Sequence, residues 1–302
     1  MDLHEGFTIL SGCASETGFF FFARELDEAA AESPHSSFMV YDDQDADEPF
    51  QKYAQDVGWP AIAMATVKPA GSSRLVVAIG PNGDFWEVNP ETLEEKVGVI
   101  AGFKGNLRAL RAIEDEIYAC GMGRVVLKRQ RAGSWQSLAP PRQNDDPDVT
   151  GFENIAGFDQ GEMYAVGWGG EIWWRDRGKW RRVDSPTSIN LRALCCAGDG
   201  NVYVVGQSGT MLRGRRDAWT LLETGRQENL MDVAWFGGRT HVTTDFRILK
   251  LHGDRLVNET EFADRADLPV TCLSLLPASD GLVSLGQKDV FTRQAGPWAR
   301  LV

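Results

Sequence analysis

Histidine is scarce in this chain, four residues among 302. His4, His35, His241 and His252 stand in no Ser/His/Asp, Cys/His or metal-spaced arrangement, so the usual general base has no recognisable setting. Tyrosine is nearly as rare. Three of the five (Tyr118, Tyr164 and Tyr203) recur at one position in successive similar segments, which reads as packing. Five scattered cysteines, with Cys195 and Cys196 adjacent and no C-x-x-C, exclude a disulfide framework or a zinc knuckle. They read as buried, reduced thiols of a cytoplasmic protein. No apolar run approaches the ~20 residues needed to cross a bilayer; the longest bulky one is "GFFFFA" at 18–23. The box "LSGC" at 10–13 resembles a lipoprotein cleavage site, but Asp2 and Glu5 precede it without an apolar stretch, so no lipid anchor is expected. Positive charge is also in deficit, 31 Lys and Arg against 43 Asp and Glu, a formal net charge of −12. A phosphate backbone would be repelled, which excludes nucleic acid as the natural partner and favours a basic protein.

What the chain does hold is a repeat. "NVYVVGQSGTMLRGRRDAWTLLE" (201–223) recurs as "RLVVAIGPNGDFWEVNP" (74–90), "EIYACGMGRVVLKRQRAGSWQSL" (116–138), "EMYAVGWGGEIWWRDRGKWRRV" (162–183) and "GLVSLGQKDVFTRQAGPWARL" (281–301). A worn copy is "THVTTDFRILKLHGDRLV" (240–257). The anchor positions Gly80, Gly121, Gly167, Gly206, Asp245 and Gly286 lie 39 to 46 residues apart, the spacing of propeller blades. Each unit reads as four strands: an apolar one lining a channel, a second such as "VYVVG", a turn and third strand, then a fourth entered through Trp135, Trp180, Trp219 or Trp298. A single blade leaves both faces bare, so several must pack around an axis. Residues 1–58 hold four further strand-like stretches, "GFTIL", "GFFFFAR", "SSFMVYD" and "FQKYAQ". The fold class is therefore all-β, one propeller over 1–302 with seven four-stranded blades; six blades plus an N-terminal extension is the alternative. The last repeat ends at Val302, with no strand spare to close the ring by exchange.

The unit resembles the bacterial neuraminidase, or Asp-box, style of repeat, shared with photosystem II assembly factors. Gly133-Ser134-Trp135, Gly178-Lys179-Trp180 and Gly296-Pro297-Trp298 match the end of that pattern. Only the unit with Asp176 has a nearby aspartate, and it lacks the preceding serine or threonine. The resemblance covers roughly 60–302 and implies the fold. A sialidase would also need an arginine triad and a Tyr–Glu nucleophile pair, which the packed tyrosines do not offer.

In such a fold the turns between second and third strands share one end, here called upper, with the connectors from fourth strand to next first strand. Reading those connectors over 89–106, 139–153, 183–190, 222–229 and 258–269 gives fourteen acids against five bases, with Glu91, Glu94 and Glu95 among the acids. The basic runs "LKRQR" (127–131), "RDRGKWRR" (175–182) and "RGRR" (213–216) fall elsewhere and read as protection of outer strand edges. At the turn tips Met122, Trp168 and Phe246 are large and apolar. The loop "APPRQNDDPDVTGFEN" (139–154) accounts for the widest anchor spacing and is stiffened by proline. Expected protein-binding residues are Met122, Asp145, Asp146, Asp148, Phe152, Glu153, Trp168, Phe246, Glu259, Glu261, Asp264 and Asp267. No catalytic residue, metal or cofactor is expected; "DDQDADE" (42–48) lacks the glycine and closing glutamate of a calcium loop. The resulting expectation is a non-enzymatic, cytoplasmic protein that binds a basic protein partner, an immunity protein against a cationic toxin being one form. An assembly scaffold and a carbohydrate-active enzyme with an unrecognised site are the alternatives.

Overall fold

The computed structural model describes residues 6–30, 32–141 and 151–302. The repeats become seven antiparallel four-stranded sheets. Blades 1 to 7 span 7–57, 63–99, 107–137, 152–183, 191–221, 232–258 and 274–300. Their first strands neighbour one another in order, and the seventh returns to the first, closing a ring around a central channel. The four N-terminal stretches form Phe7–Glu16, Phe19–Leu26, Ser36–Asp42 and Phe50–Val57 of blade 1. Seven blades hold, and the extension reading gives way.

The burial of the second strands explains their composition. Val202–Gly206 is buried along its whole length. Val202 and Val204 pack with Tyr164, Val166 and Ile172 of blade 4, while Tyr203 and Val205 pack with Val233, Val242 and Leu249 of blade 6. Successive residues serve opposite interfaces, so no position is left for a polar side chain. The outer strand Ser134–Ser137 has no buried residue and carries polar side chains. The anchor glycines are fixed by close approach. A Cβ on Gly167 would lie 1.8 Å from the Gly151 carbonyl oxygen, and one on Gly206 2.3 Å from that of Asn190. These contacts press each second strand against the connector entering its own blade.

Closure uses side chains and single backbone bonds in place of an exchanged strand. The Asp280 carboxylate of blade 7 accepts from Thr17 N (2.8 Å), Thr17 Oγ1 (2.7 Å) and Gln294 Nε2 (2.7 Å). Ile9 N donates to Gln287 O, Ser279 N donates to Ser15 O, and Lys288 pairs with Asp27 at 2.6 Å. Phe20, Phe22 and Tyr41 share a cluster with Leu276, Val283 and Leu285 beneath these bonds.

One strand assignment moves. Blade 2 takes Asp84–Asn89 as its third strand and Glu94–Val99 as its fourth. The turn carrying Glu91 is thus at the lower end, and Glu94 and Glu95 belong to an outer strand, so none of the three counts towards an acidic upper face. Glu95 instead accepts from Trp86 Nε1 (2.6 Å) and from the backbone of Ala54 and Gln55 in blade 1.

Candidate protein-binding face

Strand alternation brings the expected turns and connectors to the upper end, where they form two groups. At blades 3 and 4, Met122 N donates to Asn106 O, and Met122 forms an isolated bridge with Gly151. Trp168 opens a short 3-10 turn; its backbone N donates to Gly151 O (3.0 Å) and its indole to the Glu153 carboxylate. Arg108 lies 3.8 Å from Glu153. Met122 and Trp168 are both half-buried, folded over the entrance of the connector. Below them Arg124 and Glu171, both buried, lock the two turns together, and Trp173 Nε1 donates to the same carboxylate at 3.2 Å. Phe152 is fully buried between Trp173 and Trp180, so it is a core residue and not a contact residue. Asp145, Asp146 and Asp148 lie outside the described residues.

The second group lies at blades 6 and 7. Phe246 is 67% exposed, and the connector beside it exposes Leu268 (52%) and Val270 (65%). Cys272 N donates to Asp245 O at 3.0 Å, which ties this connector to the Phe246 turn. The Asp289 carboxylate fixes Val270 N and Thr271 Oγ1, and Asp267 pairs with Arg300 at 2.6 Å. Asp264 is exposed, and among the described residues its carboxylate accepts only from Ala266 N. Phe246 was visible in sequence as an apolar turn tip. Val270 was missed because the apolar run 270–276 looks like a first strand, which in fact begins at Ser274, and Leu268 because it lies in the connector 258–269, which was read for its charges.

Glu259 and Glu261 sit elsewhere. Glu259 is buried, bonded to Lys250 Nζ (3.1 Å) and Arg293 Nη1 (2.8 Å), and Glu261 reaches Arg293 Nη2 at 2.6 Å. Both occupy the groove between blades 6 and 7, because the chain there turns along the last strand, where Phe262 bridges Trp298. Burial pushes the Glu259 carboxyl up, but the N–H groups of Glu261 and Thr260 and the Lys250 ammonium outweigh it and hold the group below the usual range. The acids left at the upper end without a basic partner among the described residues include Asp184, Glu223, Asp245 and Asp264. Glu28 and Glu32, on and after the short helix Asp27–Ala30 of blade 1, join them. Sequence reasoning had left that helix out of the count.

The channel is crossed by Arg111 of blade 3, whose Nε donates to Asn154 Oδ1 (3.1 Å) and whose Nη2 lies 3.7 Å from Asp232 of blade 6. Burial raises the Asp232 carboxyl despite Arg111 and the N–H groups of Val233 and Leu275. Tyr118, Tyr164 and Tyr203 lie between blades, their hydroxyls bonded to Gln160, Glu162 and Asp199. The acidic stretch 42–48 is the lower turn of blade 1, closed by its own Asp42 and Asp45.

The seven closed blades define the chain as a seven-bladed β-propeller. The architecture matches a solved structure described as YCF48 bound to D1 peptide, with a TM-score of 0.69 over 97% of this chain and 95% of that one; at 14% identity the likeness is one of fold. No protein-family model matches. The chain is, however, 38% identical over 220 residues to immune protein Tsi7 of Pseudomonas aeruginosa, covering 71% of this chain and 70% of that protein. It belongs to the family of that immune protein. No helix among the described residues is long and apolar enough to cross a membrane.

Proposed function

We propose that this chain is a cytoplasmic immunity protein that neutralises a toxin by covering it with the upper face, and that it performs no catalysis of its own. Family membership supports the immunity role. The observation that carries the choice of face is the exposure of Phe246, Leu268 and Val270 on a turn and a connector tied together by the Cys272–Asp245 backbone bond, segments that also carry Asp245, Arg247, Asp264 and Arg265. Exposed aromatic and aliphatic anchors ringed by charge are how protein interfaces concentrate their energy. The chain's net charge of −12 fits a toxin with a basic surface and speeds its capture. The Asp-box style of the lower turns plays no part in this reading.

The test is capture and rescue. The tagged chain is used to recover its partner from the source bacterium, and the recovered protein is expressed in a naive host with and without this chain. Growth arrest that the chain relieves, and that a Phe246→Asp variant does not relieve, is the expected result. A partner that leaves the naive host unharmed would end the immunity reading.

A further inference from the structure

The upper mouth of the channel is a cavity of about 280 Å³, and its lining is divided. Ile62, Met231 and Leu273, at the entries to blades 2, 6 and 7, give it an apolar arc; Arg108, Glu153 and Arg192, from blades 3, 4 and 5, give it a charged one. Arg111 forms part of the same lining. Both carboxylates there are already engaged. Glu153 accepts from the Trp168 indole, and Asp232 accepts from Val233 N (2.9 Å) and Leu275 N (3.0 Å) while facing Arg111. Arg192 is exposed and has no hydrogen-bond acceptor or carboxylate among the described residues. Three guanidiniums therefore share a concave mouth with two occupied carboxylates, in a chain whose overall charge is of the opposite sign. Low-dielectric walls strengthen such a local field. A guanidinium presents its donors as a planar fork that matches a carboxylate.

We propose that this mouth is a carboxylate-binding subsite. Arg192 receives the acidic side chain of a loop of the bound toxin, Arg108, which lies 3.8 Å from Glu153, contributes its charge from the same lining, and Ile62, Met231 and Leu273 take the apolar flank of that loop. The proposal rests on the toxin-binding reading above. It adds what an acidic rim alone lacks, a positive socket that fixes the register of an otherwise basic partner.

Titration calorimetry of the full chain at low ionic strength tests it, with a blocked hexaglutamate peptide as probe and blocked hexaglutamine as its neutral match. Non-specific electrostatics work against the acidic probe, so binding of hexaglutamate and not of hexaglutamine is informative. The double variant Arg108→Ala/Arg192→Ala is expected to weaken hexaglutamate about tenfold or more, with Arg192→Lys intermediate because it keeps the charge and loses the fork. The double variant is expected to lose toxin affinity by a similar factor, with an unchanged melting temperature as the folding control. Failure of hexaglutamate to bind the wild-type chain, equal binding by the double variant, or undiminished toxin affinity in that variant would each overturn the proposal. A wild-type chain that binds hexaglutamate through these arginines yet captures no toxin would leave the subsite standing and remove the toxin reading instead.

Discussion

Lowering the pH from 7 to 5 is expected to cost the fold about 2 kcal/mol through His241 alone. The ring is 1% exposed, lies edge-on to Trp298 with centroids 6.1 Å apart, and leaves Nδ1 without a partner among the described residues. Burial first, and the Arg293 guanidinium second, push its pKa down to about 4 against the pull of Glu259. In the unfolded chain the same ring titrates near the ordinary value of about 6.5. Between those two values the unfolded chain holds a proton that the native one refuses. Stability is therefore full above about pH 6.5, falls as the pH drops, and levels off below about 4 after a total loss of roughly 3 kcal/mol. Urea denaturation at pH 7, 6 and 5 measures this when the wild type is compared with His241→Gln, which packs a similar volume and cannot titrate. Carboxylates whose native pKa is lowered, such as Glu162 bound by Arg215, contribute to both proteins and cancel in the difference. The wild type should lose about 2 kcal/mol more than the variant by pH 5. Parallel pH profiles would refute the assignment of a buried neutral imidazole.

Three substitutions separate face, core and seam. Phe246→Asp should weaken toxin binding by about 2 kcal/mol, read by surface plasmon resonance, and leave the urea midpoint nearly unchanged, because its side chain is in water. Phe152→Ala should do the opposite, destabilising the fold by about 3–5 kcal/mol in urea, because it empties the space between Trp173 and Trp180. Asp280→Ala removes the acceptor for Thr17 and Gln294 across the closing seam; a loss of about 1–3 kcal/mol is expected, with amide exchange accelerated first in blades 1 and 7.

The clearer blades were legible because they obey a local rule. An apolar second strand ends at a glycine that a neighbouring carbonyl forces, as at Gly167 and Gly206, and the next turn is short. The turns that broke the rule misled. Asn89 to Glu94 of blade 2 has no Gly-Trp signal and places Leu93 at a φ of 58°, so its acids read as a connector. Side-chain direction was less legible still. Phe152 and Glu153 are adjacent, yet one enters the core and the other the channel mouth, an alternation that depends on where the strand begins. Glu259 was read as a rim acid because its partner Arg293 is 34 residues away in the next blade, a pairing that no local pattern announces. Arg192 carried no signal at all, since its meaning comes from neighbours in five other blades.

Pairings of that long-range kind also change what the net charge means. Arg129 of blade 3 grips Glu87 of blade 2, Arg215 of blade 5 grips Glu162 of blade 4, and Arg293 of blade 7 grips Glu259 from the preceding connector. Each arginine stands on a third strand and reaches back to an acid contributed by the preceding blade or the connector leaving it. The basic runs that looked like edge protection therefore include the ring's inter-blade ties. Partly buried, bidentate pairs such as Arg129–Glu87 hold their geometry better than exposed ones, at the cost of removing those cations from the surface balance. At the upper end the acids that no arginine reaches are left beside Lys104, Arg192, Arg247 and Arg265, which form no salt bridge among the described residues. On the reading proposed above, the net negative charge of the whole chain governs how fast a basic toxin arrives, since exposed charge acts at long range and is screened by salt. How long the toxin stays is set by the desolvated contacts at Phe246, Leu268 and Val270 and by the guanidinium socket, which salt reaches far less.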